Sequence, residues 1–356
     1  MSLGGGWGAK SKALVGVDVG SSAVKVVSLK RLGTNSFQLE ALGIEQVPQD
    51  CIVDGVIISK LPVADAIARI FRSRNIRNRN IATSISGSSV IVRKISLPSQ
   101  MEEDLQESIQ WEAEQYIPFD INDVNLDFQI VGHAPEGNKI EVILVAAKRE
   151  KIADQTSVVS MAGKVPIVVD IDSFALQNVY ELNYEPQPTT VAALLNIGSS
   201  VMNINIVRGT DFLFTRDIAM GGNHYNDFLR KELNISFEEA ESYKRSGAPT
   251  DELKRKTTAT LASVSEILVL EVQKTLDYYK TATRSEDIRE IYISGGASRT
   301  LGFRECLQEK FQIPVSFLNP FRKVRTNERI HPPELLEQLA SDFAVAVGLA
   351  TRSAGR

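Results

Sequence analysis

Two short stretches carry residue types suited to holding phosphate. In "GVDVGSSAVKVV", Asp18 ends an apolar run and is followed by Gly20, Ser21, Ser22 and, seven residues after the acid, Lys25. In "LNIGSSVMNINIV", Asn196, Gly198, Ser199 and Ser200 repeat the arrangement 178 residues further on. A single such turn is explained by a hairpin alone, because glycine reaches positive φ without strain and serine hydroxyls bond back to the backbone. Two copies, with a third glycine-rich turn at Gly295, Gly296 and Ala297 in "YISGGASR", point further. Backbone N–H groups in turns form an anion-binding concavity, and residues without bulk let the anion come close. Two hairpins facing each other across a cleft would clamp a polyphosphate from both sides, with the Lys25 ammonium aimed at its charge.

Those turns need strands to hold them. From residue 13 the chain reads as three strands, "ALVGVDVG", "AVKVVSLKR" and "FQLEALGIEQV", each rich in β-branched residues and bounded by Gly, Asn or Pro. An amphipathic helix, "LPVADAIARIFRSRN", and a short buried strand, "NIATSIS", complete half of an α/β unit. A strand–helix–strand–strand–helix stretch over 87–165 reads as an inserted α+β module. "VPIVVDIDSFALQNVYELN" then resumes the first unit. The opening pattern returns at "TTVAALLNIGSSVMNINIVRG", and a period that long means two related domains rather than a solenoid. The expected organisation is a tail over 1–12, a first domain over 13–86 and 166–188, the insertion over 87–165, and a second domain over 189–333. A C-terminal helix over 334–352 is expected to pack back on the first domain.

Composition narrows the function classes. The chain has 356 residues, is 43% hydrophobic, and carries a formal net charge of −4, which suits a large core and argues against a protein built to coat nucleic acid. The four arginines of "RSRNIRNRN" have no aromatics among them to stack on bases, so a solvated basic loop is the reading. Cys51 and Cys306 lie far apart without CxxC pairing and fit a reducing compartment. His133, His224 and His331 lack metal-ligand spacing. No run approaches the roughly 18 apolar residues of a spanning helix, so a cytoplasmic protein is expected. No GxxxxGK[ST] occurs, which sets aside a Walker-type site.

The paired Asx-x-Gly-Ser-Ser hairpins, "ISGGASR", "VVDIDSFAL" and "SDFAVAVGLA" together resemble the actin/Hsp70/sugar-kinase superfamily over almost the whole chain. An α+β insertion placed early in the first domain, with "WEAEQYIPFDINDVNLDFQIV" inside it, resembles the FtsA-like branch and within it the PilM family of type IV pilus assembly proteins. The resemblance implies a two-domain actin-like (ribonuclease H-like) α/β fold with an inserted SHS2-type α+β domain. It implies ATP with Mg²⁺ between the domains. Gly20, Ser21, Ser22, Lys25, Gly198, Ser199 and Ser200 would hold the phosphates, and Gly295, Gly296, Ala297, Glu241 and Lys244 the adenosine. Asp18 and Asn196 would hold the metal through water. Asn196 departs from the acid that many superfamily members carry there, which points to slow turnover or none.

Asp172 is the candidate for orienting an attacking water, and a helix N-cap ahead of "SFALQNVYEL" explains an aspartate there equally. Glu241 and Lys244, spaced i, i+3, also suit a solvated helix face. The implied partner is the N-terminal cytoplasmic tail of the inner-membrane protein PilN, with the pilus motor ATPases and platform protein beyond it. Membrane contact is expected only through such partners, since no amphipathic anchor follows the last helix. An FtsA-like self-associating filament is the alternative. A sugar kinase or a chaperone fits poorly, because neither a sugar site nor a peptide-clamp domain is evident.

Overall fold

The structure is a computed structural model and describes residues 13–101, 105–133, 138–283 and 287–353. The expected tail at 1–12 lies outside the described residues. Around the first Gly-Ser-Ser turn, valine-rich runs pair as the antiparallel hairpin β1 (Val15–Val19) and β2 (Ala23–Gly33), and β3 (Ser36–Gln46) adds to β2. A small hairpin that sequence reasoning passed over follows, β4 (Ile52–Val53) and β5 (Val56–Ile57). Its turn residues Asp54 and Gly55 have φ of 48° and 77°, the left-handed geometry an Asp-Gly pair favours. Helix α1 (Lys60–Ser73) buries Val63, Ala66, Ile67 and Ile70 against the sheet, and β6 (Asn80–Ile85) pairs parallel to β1.

Next come β7 (Val90–Pro98), α2 (Leu105–Ala113), β8 (Val124–His133) and β9 (Lys139–Lys148). They form a separate antiparallel sheet in the order β7-β9-β8. Leu105, Ile109 and Ala113 of α2 share its core with Ile140, Val142 and Leu144 of the central strand. The helix expected to close this module, α3 (Arg149–Met161), belongs elsewhere. Its buried Val158 and Val159 pack with α1 residues and with Ile81 of β6, and Gln155 donates to Thr83 Oγ1 of β6 at 2.7 Å. It is the crossover between β6 and the parallel strand β10 (Val165–Ile171), which completes the first sheet in the order β10-β6-β1-β2-β3.

After α4 (Asp172–Tyr184) the plan repeats: β11 (Val191–Ile197), β12 (Met202–Arg208) and β13 (Asp211–Ile218), then α5 (Gly222–Leu233), α6 (Phe237–Ser246) and α7 (Asp251–Thr283). Strand β14 (Glu290–Ser294), α8 (Phe303–Phe311) and β15 (Val315–Phe317) finish a sheet ordered β13-β12-β11-β14-β15. Read outward from its Gly-Ser-Ser hairpin, each sheet has three antiparallel strands followed by two parallel ones. Helix α3 therefore holds the place in the first half that α8 holds in the second.

The expected single C-terminal helix is broken into α9 (Pro333–Leu339), a 3₁₀ turn at 340–343, and α10 (Ala344–Ala350). The Ser341 carbonyl, which a continuous helix would give to its own i+4 amide, instead accepts from Gly295 N at 2.7 Å. Helices α4 and α10 lie together where the two halves meet, and Leu176, Val179, Phe343 and Val347 share a core with Ala192 and Leu194 of β11. Close approach makes glycine obligatory here: a Cβ on Gly348 would stand 1.9 Å from the Ala175 carbonyl oxygen. Among the described residues no helix is long and apolar enough to cross a membrane. Both cysteines are free, Cys51 buried and Cys306 only partly so.

Candidate functional site

The two Gly-Ser-Ser hairpins point into one cleft of about 550 Å³, in the size range of a ligand pocket. Their turns are built alike. Gly20 N donates to the Ala23 carbonyl at 3.1 Å, and Gly198 N to the Val201 carbonyl at 2.9 Å. Their strands are in equivalent register, Asp18 opposite Lys25 in one and Asn196 opposite Asn203 in the other. In the first hairpin that cross-strand pair is ionic, with Lys25 Nζ 3.2 Å from Asp18 Oδ2. In the second it is an amide pair, with Asn196 Nδ2 donating to Asn203 Oδ1 at 2.8 Å.

Every residue expected to hold nucleotide, metal or water lines this cleft: Asp18, Gly20, Ser21, Ser22, Lys25, Asp172, Asn196, Gly198, Ser199, Ser200, Glu241, Lys244, Gly295, Gly296 and Ala297. The N-terminus of α5 abuts the second hairpin, because Gly222 N and Asn223 N donate to the Gly198 and Ser199 carbonyls at 2.9 and 2.8 Å. A Cβ on Gly221 would come within 2.4 Å of the Gly198 oxygen, so a side chain there would push the helix off the hairpin. Gly295 has φ of 83°, and a Cβ on it would meet the Ile197 oxygen at 2.3 Å. The third glycine turn is thereby held against the base of the second hairpin.

Four of the predicted residues are more committed than their types suggested. Asp172 is the first residue of α4 rather than its cap, and its Oδ1 accepts from Ser84 Oγ at 2.5 Å. The N-cap reading of this aspartate is therefore corrected: Ile171 occupies that position without a side-chain bond. Asn196 gives one of its two amide hydrogens to Asn203. Glu241 and Lys244 are not a solvated pair. Lys244 is 4% exposed, and its Nζ lies 2.5 Å from Glu241 Oε2, which also accepts from Asn226 Nδ2 at 2.9 Å.

Several cleft residues escaped the sequence reading. Asp342 sits at the break before α10, Arg245 follows Lys244, and Lys151 comes from α3. Asp342 was within reach, since it stands second in "SDFAVAVGLA", whereas nothing local marks Lys151. Asp217 of β13 adjoins the cleft: its Oδ1 accepts from Asn203 Nδ2 at 2.8 Å and its Oδ2 from Gly87 N at 2.6 Å. One hydrogen-bonded chain thus runs from Asn196 through Asn203 and Asp217 to the entry of the inserted module.

The electrostatics of the cleft favour cations at the first hairpin. Burial, outweighing the pull of Lys25, raises the Asp18 carboxyl above its ordinary pKa, and Asp172 and Asp342 push the same way. Burial alone would lower Lys25, but Asp18, Asp342 and Asp172 together hold its ammonium above the usual value. Three carboxylates around one lysine leave a surplus of negative charge. Burial pushes Asp217 up to about 6 against the hydrogen bonds from Asn203 and Gly87.

A duplicated five-stranded sheet with a hairpin from each half meeting across a cleft defines a protein of the actin-like, ribonuclease H-like class. Ethanolamine utilization protein EutJ from Carboxydothermus hydrogenoformans shares the fold, with a TM-score of 0.57, 15% identity, and coverage of 96% of this chain and 90% of that one. A family model for the type IV pilus assembly protein PilM matches residues 16–354, and the chain belongs to that family. A structure solved as a PilM–PilN type IV pilus biogenesis complex aligns with a TM-score of 0.85 at 26% identity, covering 97% of this chain and 100% of that one.

Proposed function

We propose that this chain is a nucleotide-binding scaffold of the type IV pilus machinery. It takes ATP with Mg²⁺ between its halves and holds the N-terminal cytoplasmic tail of PilN in the groove between the first half and the insertion. The carrying observation is the whole-length likeness to a protein solved as a PilM–PilN complex. The nucleotide part rests on the paired hairpins and glycine turn around the cleft. The backbone N–H groups of Gly20–Ser22 and Gly198–Ser200 would cradle phosphates, and Glu241 with the buried Lys244 would meet the nucleoside end.

The donor chemistry fits a hydrated magnesium ion. Among the described residues no three His, Cys, Asp or Glu side chains converge to hold a metal unaided. Mg²⁺ ordinarily keeps several waters and takes one or two carboxylates plus phosphate oxygens, which Asp18 and its acidic neighbours can supplement. When bound, the ion would neutralise phosphate charge. Asp172, oriented by Ser84, would position a water. An uncharged Asn196 suits slow turnover, consistent with a protein whose output is a bound partner.

We place the protein at the cytoplasmic face of the inner membrane, held there by PilN, with the pilus motor ATPases and platform protein as further contacts. The test is titration of the full chain with a synthetic PilN tail peptide, with and without Mg-ATP. A variant lacking 88–147, closed by a short Gly-Ser linker, keeps α3 and is expected to retain nucleotide and lose the peptide. Tail binding by that variant would show that the insertion does not form the groove. Sedimentation of the purified protein with bare liposomes would instead favour an FtsA-like membrane filament.

A further inference from the structure

Among the described residues four cationic side chains line the cleft, Lys25, Lys151, Lys244 and Arg245. Three have a carboxylate partner: Lys25 has Asp18 at 3.2 Å, and Lys244 and Arg245 share Glu241 at 2.5 and 3.0 Å. Lys151 has no carboxylate within ion-pair distance among the described residues, and its ammonium donates to the backbone carbonyl of Gly55. The acids nearest to it are engaged elsewhere. Asp154 pairs with Lys60 at 2.7 Å, Asp172 accepts from Ser84, and Asp217 accepts from Asn203 and Gly87. Burial lowers the pKa of Lys151 against the more distant pull of Asp172, Asp154 and Asp217. That hydrogen bond leaves the partly buried positive charge uncompensated, and an anion would offset it.

Its position identifies the anion. Gly55 lies between Lys151 and the second hairpin: a Cβ on Gly55 would stand 3.7 Å from Lys151 Nζ and 3.8 Å from Val201 Cγ2. Lys151 therefore lies on the Gly55 side of the cleft, toward Val201 of that hairpin, with Asp172 the acid that acts on it most. Glu241, Lys244 and Arg245 line the wall formed by α6, beside Gly222 and the Gly296 turn. With the nucleoside at the α6 wall and the inner phosphates between the hairpins, the last phosphoryl group of a triphosphate would reach the Lys151 wall. Lysine suits the task, being a point charge on a flexible four-carbon stem that can leave a carbonyl for an anionic oxygen.

We propose that Lys151 recognises the terminal phosphate of a nucleoside triphosphate and so makes the cleft distinguish triphosphate from diphosphate. The inference rests on the nucleotide reading above. The test compares full-length wild type, Lys151→Met and Lys151→Arg by calorimetric titration with Mg-ADP and with a non-hydrolysable Mg-ATP analogue. Lys151→Met is expected to keep its diphosphate affinity within about twofold and to lose roughly tenfold to a hundredfold for the triphosphate, the scale of one charge-assisted hydrogen bond. Lys151→Arg should recover part of that loss. An unchanged triphosphate-to-diphosphate ratio in a folded Lys151→Met protein overturns this inference alone. Proportional loss of both ligands also overturns it, showing that Lys151 supports the fold rather than reading the phosphate. A wild type that binds neither nucleotide overturns the reading of the cleft, and this inference with it.

Discussion

Replacing Asn196 by aspartate would put a charged group back on the second hairpin, and in isolation it should speed any metal-assisted hydrolysis. The hydrogen-bond chain behind it predicts a different first effect. Asn196 Nδ2 donates to Asn203 Oδ1, and Asn203 Nδ2 donates to Asp217 Oδ1, both at 2.8 Å. A carboxylate at 196 sets acceptor against acceptor. Rotating the Asn203 amide mends that contact and breaks the next, so both are satisfied only when a carboxyl at one end of the chain holds a proton, and Asp217 is the one already raised. Left unmet, a buried acceptor costs about 1–3 kcal/mol.

Asp217 titrates in the folded protein at about 6, against an ordinary 3.8. A carboxyl raised in this way adds stability that is full below its unfolded pKa and is lost as pH rises through the folded one. Holding its proton at pH 7.5 costs about 2 kcal/mol, at about 1.4 kcal/mol per pH unit above 6, and almost nothing at pH 5.5. The deficit of Asn196→Asp relative to wild type should therefore grow by about 2 kcal/mol between those pH values, widening the melting-temperature gap by a few degrees. Paired thermal melts at pH 5.5 and 7.5 measure it. A gap that is equal at both pH values, or narrower at 7.5, would refute the proton-coupled account.

Two further substitutions probe the cleft and its floor. In Gly198→Glu the Cβ alone would sit 2.8 Å from the Val201 oxygen and the carboxylate would face the phosphates. Nucleotide affinity should fall at least about a hundredfold, or roughly 3 kcal/mol, and equal ATP binding by a folded variant would count against the site. In Gly348→Ala the new Cβ would lie 1.9 Å from the Ala175 oxygen, so α4 and α10 must separate. Overpacking of this kind costs about 1–3 kcal/mol, and an unchanged melting temperature would show that the crossing yields freely.

Local chemistry made the hairpins legible. Glycine between β-branched runs, with serines beside it, specifies a tight turn wherever it occurs, and its recurrence 178 residues later exposed the duplication. The strands and helices flanking each turn follow from hydrophobic period for the same reason: neighbours along the chain set that pattern. What lay beyond the sequence was which distant residues meet. Helix α3 reads as the end of the insertion until its Val158 and Val159 are seen packed on α1 and β6. The C-terminal helix reads as continuous until Gly295 N takes the Ser341 carbonyl. Lys151 gains its place in the cleft only because α3 crosses over the first sheet, and Asp217 meets Gly87 across 130 residues of chain. Such contacts are chosen by the packing of whole sheets and helices, whose apolar faces specify burial but not which buried neighbour stands opposite.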